Sequence, residues 1–153
     1  MSLTELITGT KSYSSLDEAD KYFSAQLNAE AWEQADTLDQ RKALTQATST
    51  IDLLRLRSYK TDSTQDNEFP RGGDTTIPLR VEQATAEIGK ALLDGADPEI
   101  IYENVSMAST SYQNIRTSYK DRTEDYKISG IPSMVAYRLL APYIADPRQI
   151  NLS

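Results

Sequence analysis

The 153 residues, 39% hydrophobic and 25% charged, suit a single domain with a core of its own. Cysteine and histidine are both absent, which excludes disulfides, thiolate nucleophiles, a Ser-His-Asp arrangement and the usual zinc ligands. The 23 acids against 16 bases leave a formal net charge of -7, which repels a phosphate backbone at long range unless positive charge is locally concentrated.

The chain opens Met1-Ser2-Leu3-Thr4-Glu5, with neither a basic nor an apolar signal region, so no secretion is expected and the sequons at Asn104 and Asn151 read as chance matches. No apolar run approaches the ~20 residues needed to span a bilayer. Ser15 and Glu18 have the spacing of a capping box. A helix is predicted from about Leu16 to Leu27, with Ala19, Tyr22, Phe23 and Leu27 on one face. Residues 28–35 suggest a short second helical turn, with Ala31, Trp32 and Ala35 facing inward.

Thr37 and Gln40 suggest another capping box, opening a longer helix to about Arg57 whose stripe is Leu44, Ala47, Ile51 and Leu54. So narrow a stripe wants a helical partner. The segment from Pro78, at a first helical position, through Val81, Ala84, Ile88, Ala91 and Leu92 to a stop at Gly95 supplies one, packed antiparallel. Between them Ser58 to Ile77 is a polar loop carrying Phe69-Pro70-Arg71-Gly72-Gly73, of a length that is usually functional or disordered, and it is expected to be ordered by a neighbouring subunit.

Beyond Pro98 the helical period fades, and Ile101–Met107 and Gln113–Tyr119 are predicted as a small antiparallel β element. Gly130-Ile131-Pro132 marks a break. Ser133 to Ile144 reads as a last helix with Val135, Leu139 and Leu140 on its apolar side, ended by Pro142 and Pro147. The fold class expected is therefore mainly α: a bundle of about four helices with a long loop and a small β element. Residues 1–145 form the domain and residues 146–153 an extended docking tail.

Few motifs carry chemistry. Gly89-Lys90 and Gly9-Thr10-Lys11-Ser12 lack the earlier glycine of a phosphate-binding loop, and Gly89 is better read as allowing close helix packing. Asp17, Glu18, Asp20, Glu30, Glu33, Asp36 and Asp39 have neither EF-hand spacing nor a partner suggesting acid-base work, and read as a solvated acidic face. Turned to the lumen of a ring, that face would let DNA slide without sticking. Tyr112, Arg116, Tyr119 and Lys120 place aromatic rings among cations, as single-strand binding requires. However, Asp121, Glu124 and Asp125 reduce the net charge of their segment to +1, four bases minus three acids. In the long loop, Phe69 can anchor the chain and Arg71 can reach a carboxylate on a neighbouring subunit, Arg being enriched at interfaces.

Four pieces in order are similar to one family of virion proteins: the Tyr13 to Phe23 opening with Trp32 after it, Leu53-Leu54-Arg55-Leu56-Arg57, Phe69-Pro70-Arg71, and Leu139-Leu140-Ala141-Pro142-Tyr143. Over residues 12–144 the chain resembles the head-tail adaptor, or head completion, proteins of tailed bacteriophages. Sequences of this look also carry the label "DnaT-like single-stranded DNA-binding". The resemblance implies a mainly helical, non-enzymatic subunit without catalytic, metal or cofactor residues. It would form a homo-oligomeric ring of twelve copies in the virion, assembled in the host cytoplasm between the portal protein and a tail or nozzle protein, with no membrane contact. DNA would pass through the ring without specific binding. Phe69 and Arg71, with Asp146, Arg148, Ile150 and Leu152 of the tail, are the expected subunit or partner contacts. The alternative is a single-stranded DNA-binding protein using Tyr112, Arg116, Tyr119 and Lys120. The two differ in expected affinity for oligo-dT, which the charge predicts to be weak or absent.

Overall fold

A computed structural model describes residues 12–100, 103 and 130–145. It is mainly α-helical. The helices are α1 (Leu16–Ser24), α2 (Glu30–Gln34), α3 (Thr37–Asp52), α4 (Leu79–Leu93) and α5 (Met134–Leu140), the last running into a 3-10 turn at Ala141–Tyr143. Of the predicted β element, Glu103 alone is described, in helical conformation; the rest, and the tail at 146–153, lie outside the described residues.

Local chemistry explains the helix ends. The Ser15 hydroxyl accepts from the Glu18 amide while the Glu18 carboxylate accepts from the Ser15 amide, both at 3.1 Å, completing the predicted capping box. α1 stops at Ser24, earlier than expected, and leaves Leu27 88% exposed. Asn28, with φ of 62°, then turns the chain. Only Ala19 and Phe23 are fully buried on α1. The second predicted capping box is displaced by one residue: Asp36, not Thr37, caps α3 by accepting from the Asp39 amide at 2.9 Å. α3 ends at Asp52 rather than Arg57. Similarly, Pro78 is the cap before α4 rather than its first residue. Gly95, with φ of 95°, closes that helix as predicted.

α4 is the central element, packed against α1, α2, α3 and α5. Val81, Ala84 and Ile88 meet Ala47 and Ile51 of α3, Ala136 and Leu140 of α5, and Ile131 in the larger buried cluster. On its other side Ala86 joins Phe23, Trp32 and Leu44. A helix surrounded in this way buries even Thr85 and Glu87. The Thr85 hydroxyl is satisfied by the Val81 carbonyl at 2.8 Å, and the Glu87 carboxylate accepts from the Tyr22 hydroxyl at 3.0 Å and lies 3.4 Å from the Lys90 ammonium. Burial, then the charge of Glu87, pushes the Tyr22 phenol up to about 12, so it remains a neutral donor. In α5, Val135 was expected inside but is 47% exposed; Ala136 and Leu140 are the buried positions.

Gly89, late in α4, faces Ala43 and Leu44 near the middle of α3, while Val81 shares a cluster with Ile51 at the end of α3, as in an antiparallel pair. A Cβ built there would sit 3.5 Å from the Leu44 side chain and 3.6 Å from the Ala43 backbone, ordinary contact with nothing to spare. Gly89→Ala should therefore be neutral or stabilising by up to about 1 kcal/mol through helix propensity. Gly89→Val should destabilise by about 1–3 kcal/mol through overpacking. Urea denaturation of the pair checks this.

The long loop is the largest departure from expectation. It is built into the chain's own fold. The Phe69 ring is 3% exposed and packs edge-on against Tyr13 at 5.7 Å and Tyr143 at 5.4 Å. Asp52, at the end of α3, accepts from the Tyr13 hydroxyl, from Asn67 Nδ2 at 2.9 Å and from the Glu68 amide at 3.3 Å. The Tyr13 oxygen in turn accepts from the Phe69 amide at 3.1 Å. Burial first, and then the Asp52 hydrogen bond, hold this phenol far above its ordinary range. Arg71 donates to the carbonyls of Arg57 and Ser58 and lies 2.6 Å from the Glu68 carboxylate. Phe69 thus serves as the loop's anchor inside this subunit's core, the first of the two readings, and the Arg71 guanidinium is bonded to Arg57, Ser58 and Glu68 of the same chain.

Asp52 is the hub of that arrangement. Asp52→Ala leaves three donors without their acceptor and should lower stability by about 3 kcal/mol, because hydrogen bonds to a charged group contribute about 1.5–3 kcal/mol each and do not add fully. Urea denaturation of the variant measures it.

Candidate nucleic-acid interface

Where α3 ends, the chain continues as an irregular but firmly held strip from Leu53 to Lys60. Leu54 and Leu56 turn toward the larger core cluster, while Arg55, Arg57, Ser58 and Tyr59 are exposed. On one side the strip is tied to the segment after α5. The Arg57 amide donates to the Tyr143 carbonyl at 2.8 Å, the Ala145 amide donates to the Arg55 carbonyl at 2.9 Å, and Leu56 forms an antiparallel bridge with Ile144. On the other side Lys60 bridges to Arg71, and the Gly72 amide donates to the Tyr59 carbonyl at 2.9 Å. Arg71, bonded to two of the strip's carbonyls, braces it from the loop.

No acid stands in the sequence between Asp52 and Asp62, whereas Arg55, Arg57 and Lys60 do. Asp52 is committed to Tyr13, Asn67 and the Glu68 amide, and Glu68 is paired with Arg71. Among the described residues, none of the three strip cations has a carboxylate within ion-pair distance. The Arg57 Nε–H donates to the Ile144 carbonyl at 2.9 Å and Lys60 Nζ to the Gln65 carbonyl at 3.3 Å. Between these cations Tyr59 stands 87% exposed. A free aromatic face among unneutralised cations can stack a base while the cations meet phosphates.

The sequence-derived candidates for this role, Tyr112, Arg116, Tyr119 and Lys120, lie outside the described residues, as do the tail contacts Asp146, Arg148, Ile150 and Leu152. The sequence does not single out the strip, because Arg55 and Arg57 fall at the end of the helix expected to reach Arg57. The readable signal was a run of three cations and a tyrosine without an acid. The seven acids from Asp17 to Asp39 are all exposed, as predicted for a solvated face; Asp20 accepts from the Trp32 indole at 2.8 Å.

A family model described as "Putative DnaT-like ssDNA binding protein" matches residues 4–151. The chain belongs to that family. No curated protein and no solved structure matches it. The DnaT-like family match spans both the Leu53 to Lys60 strip and the Tyr112 to Lys127 segment, so membership by itself does not choose between them.

Proposed function

We propose that the protein binds single-stranded DNA through the Leu53 to Lys60 strip, with Tyr59 as the stacking platform and Arg55, Arg57 and Lys60 as phosphate contacts. The observation that carries this reading is the 87% exposed Tyr59 ring among three cations without a carboxylate partner among the described residues. The description of the family supports it. The net charge of -7 sets the affinity low, in the range of non-specific binding, Kd of about 10⁻⁴ to 10⁻⁶ M.

Fluorescence anisotropy with labelled oligo-dT tests it. Three single-strand phosphate contacts give a log-log salt slope of about -2, so affinity should fall roughly 20-fold between about 50 and 200 mM salt. Tyr59→Ala should cost about 5- to 150-fold, the equivalent of one lost stacking contact of about 1–3 kcal/mol. Binding that survives Tyr59→Ala and Arg55→Ala but disappears on Tyr119→Ala would move the contact to the Tyr112 to Lys127 segment.

A second reading is a structural head-tail adaptor, a ring below a phage portal that extends the DNA channel to a tail protein. It is supported by the ordered motifs from Tyr13 to Tyr143 and by the exposed acidic face. Electron microscopy of the protein incubated with a portal protein should then show rings on the portal. Their absence, together with oligo-dT binding that depends on Tyr59, would leave the first reading alone.

A further inference from the structure

Between α1 and α4 lies an open groove of about 300 Å³, beside the smaller buried cluster and sharing no residue with the strip. Its lining includes the Tyr22 ring and Leu79, over a floor that includes the buried Ala86. Leu79, at the first turn of α4, is 66% exposed on the rim of this groove. The groove is also lined by Glu18, Glu82 and Lys21. Among the described residues neither glutamate has a cation within ion-pair distance, Lys21 included. Glu18 is occupied only by the cap of its own helix. The Glu82 carboxyl is held above its ordinary range, first by burial and then by the charge of Glu18, so the two acids feel one another across the groove.

We propose that this groove docks a basic, apolar segment of a partner protein, with an Arg or Lys entering between Glu18 and Glu82 and an apolar side chain covering Leu79 and the Tyr22 ring. The occupant is chosen by charge. The groove carries two acids against one base, Lys21; a cation between the glutamates relieves their mutual repulsion, while a phosphate chain would meet that negative pair. Between two copies the net charge of -7 on each works against self-docking through this groove. The proposal is independent of single-strand binding, because the groove and the strip share no residue.

The test is an amide NMR titration of the full chain with a short amphipathic peptide of Leu, Ala and Arg, beside a matched peptide bearing Glu in place of Arg. The Arg peptide should shift the amides of Tyr22, Leu79 and Ala86, and the Glu peptide should not. Glu82→Lys and Leu79→Ser should each weaken the Arg peptide by about tenfold or more, one charge contact or one covered leucine being of that size. Neither substitution should change the thermal transition followed by circular dichroism, and the charge-neutral Leu79→Ser should leave the affinity for oligo-dT unchanged. Equal binding of both peptides, shifts away from the groove, or indifference to Glu82→Lys would overturn the proposal. So would concentration-dependent self-association abolished by Leu79→Ser, which would assign the groove to a second copy.

Discussion

Phe69→Ala is expected to destabilise the isolated chain by about 3–5 kcal/mol, the usual range for deleting a fully buried phenyl ring. The ring is the apolar centre of the long loop, held edge-on between Tyr13 and Tyr143, and it belongs to the cluster that includes Ile51, Val81 and Leu140. Its removal opens a cavity among Tyr13, the loop and the turn after α5. It also loosens the Leu53 to Lys60 strip, which is bonded to both flanking segments. Urea denaturation at low protein concentration measures the loss, and oligo-dT affinity should fall with it. A change below about 0.5 kcal/mol, the level of an ordinary surface substitution, would mean that Phe69 finds its cover outside the subunit after all.

Trp32→Ala should cost a similar amount, about 3–5 kcal/mol, through the other side of the molecule. The indole is 2% exposed, lies 5.2 Å from the Phe23 ring and donates to Asp20 at 2.8 Å, while its backbone carbonyl accepts from the Gln40 side chain at 2.8 Å. Trp32 therefore joins α1, α2 and the start of α3, and a helix as short as α2 has no stability of its own without such packing. This is the chain's single tryptophan, so the variant must be followed by circular dichroism rather than by intrinsic fluorescence. Amide hydrogen exchange should show α1 and α2 losing protection before the cluster around Ile51 and Ile88. Uniform loss across both clusters would show that they unfold as one unit.

The helices were legible where they follow from neighbours in sequence. Ser15 and Glu18 cap one another across three residues, the stripe of Leu44, Ala47 and Ile51 repeats at helical spacing, and Gly95 provides the positive φ that ends α4. Boundaries drifted by a residue or more because Asp36 competed with Thr37 for the same cap, and because the Leu54 and Leu56 positions continue an apolar pattern after the helix has stopped. Leu27 and Val135 fitted the expected stripes but are exposed, since periodicity reports which positions share a face and not which faces find a partner.

The candidate interface was harder to read. Tyr59 and its cations are local in sequence, but their availability depends on distant groups: Tyr143 and Ala145 hold one edge, Arg71 braces the other, and Asp52 is taken by Tyr13, Asn67 and Glu68. Composition alone determined that the chain is acidic, without cysteine or histidine, and of a length for one core. Local spacing determined that it is mainly helical. The tertiary structure alone decided that the polar loop closes on its own subunit. A loop's partners are set by which buried donors, acceptors and rings reach it from elsewhere in the chain, here Tyr13 and Asp52 reaching Phe69 and Asn67, and no local period records such contacts.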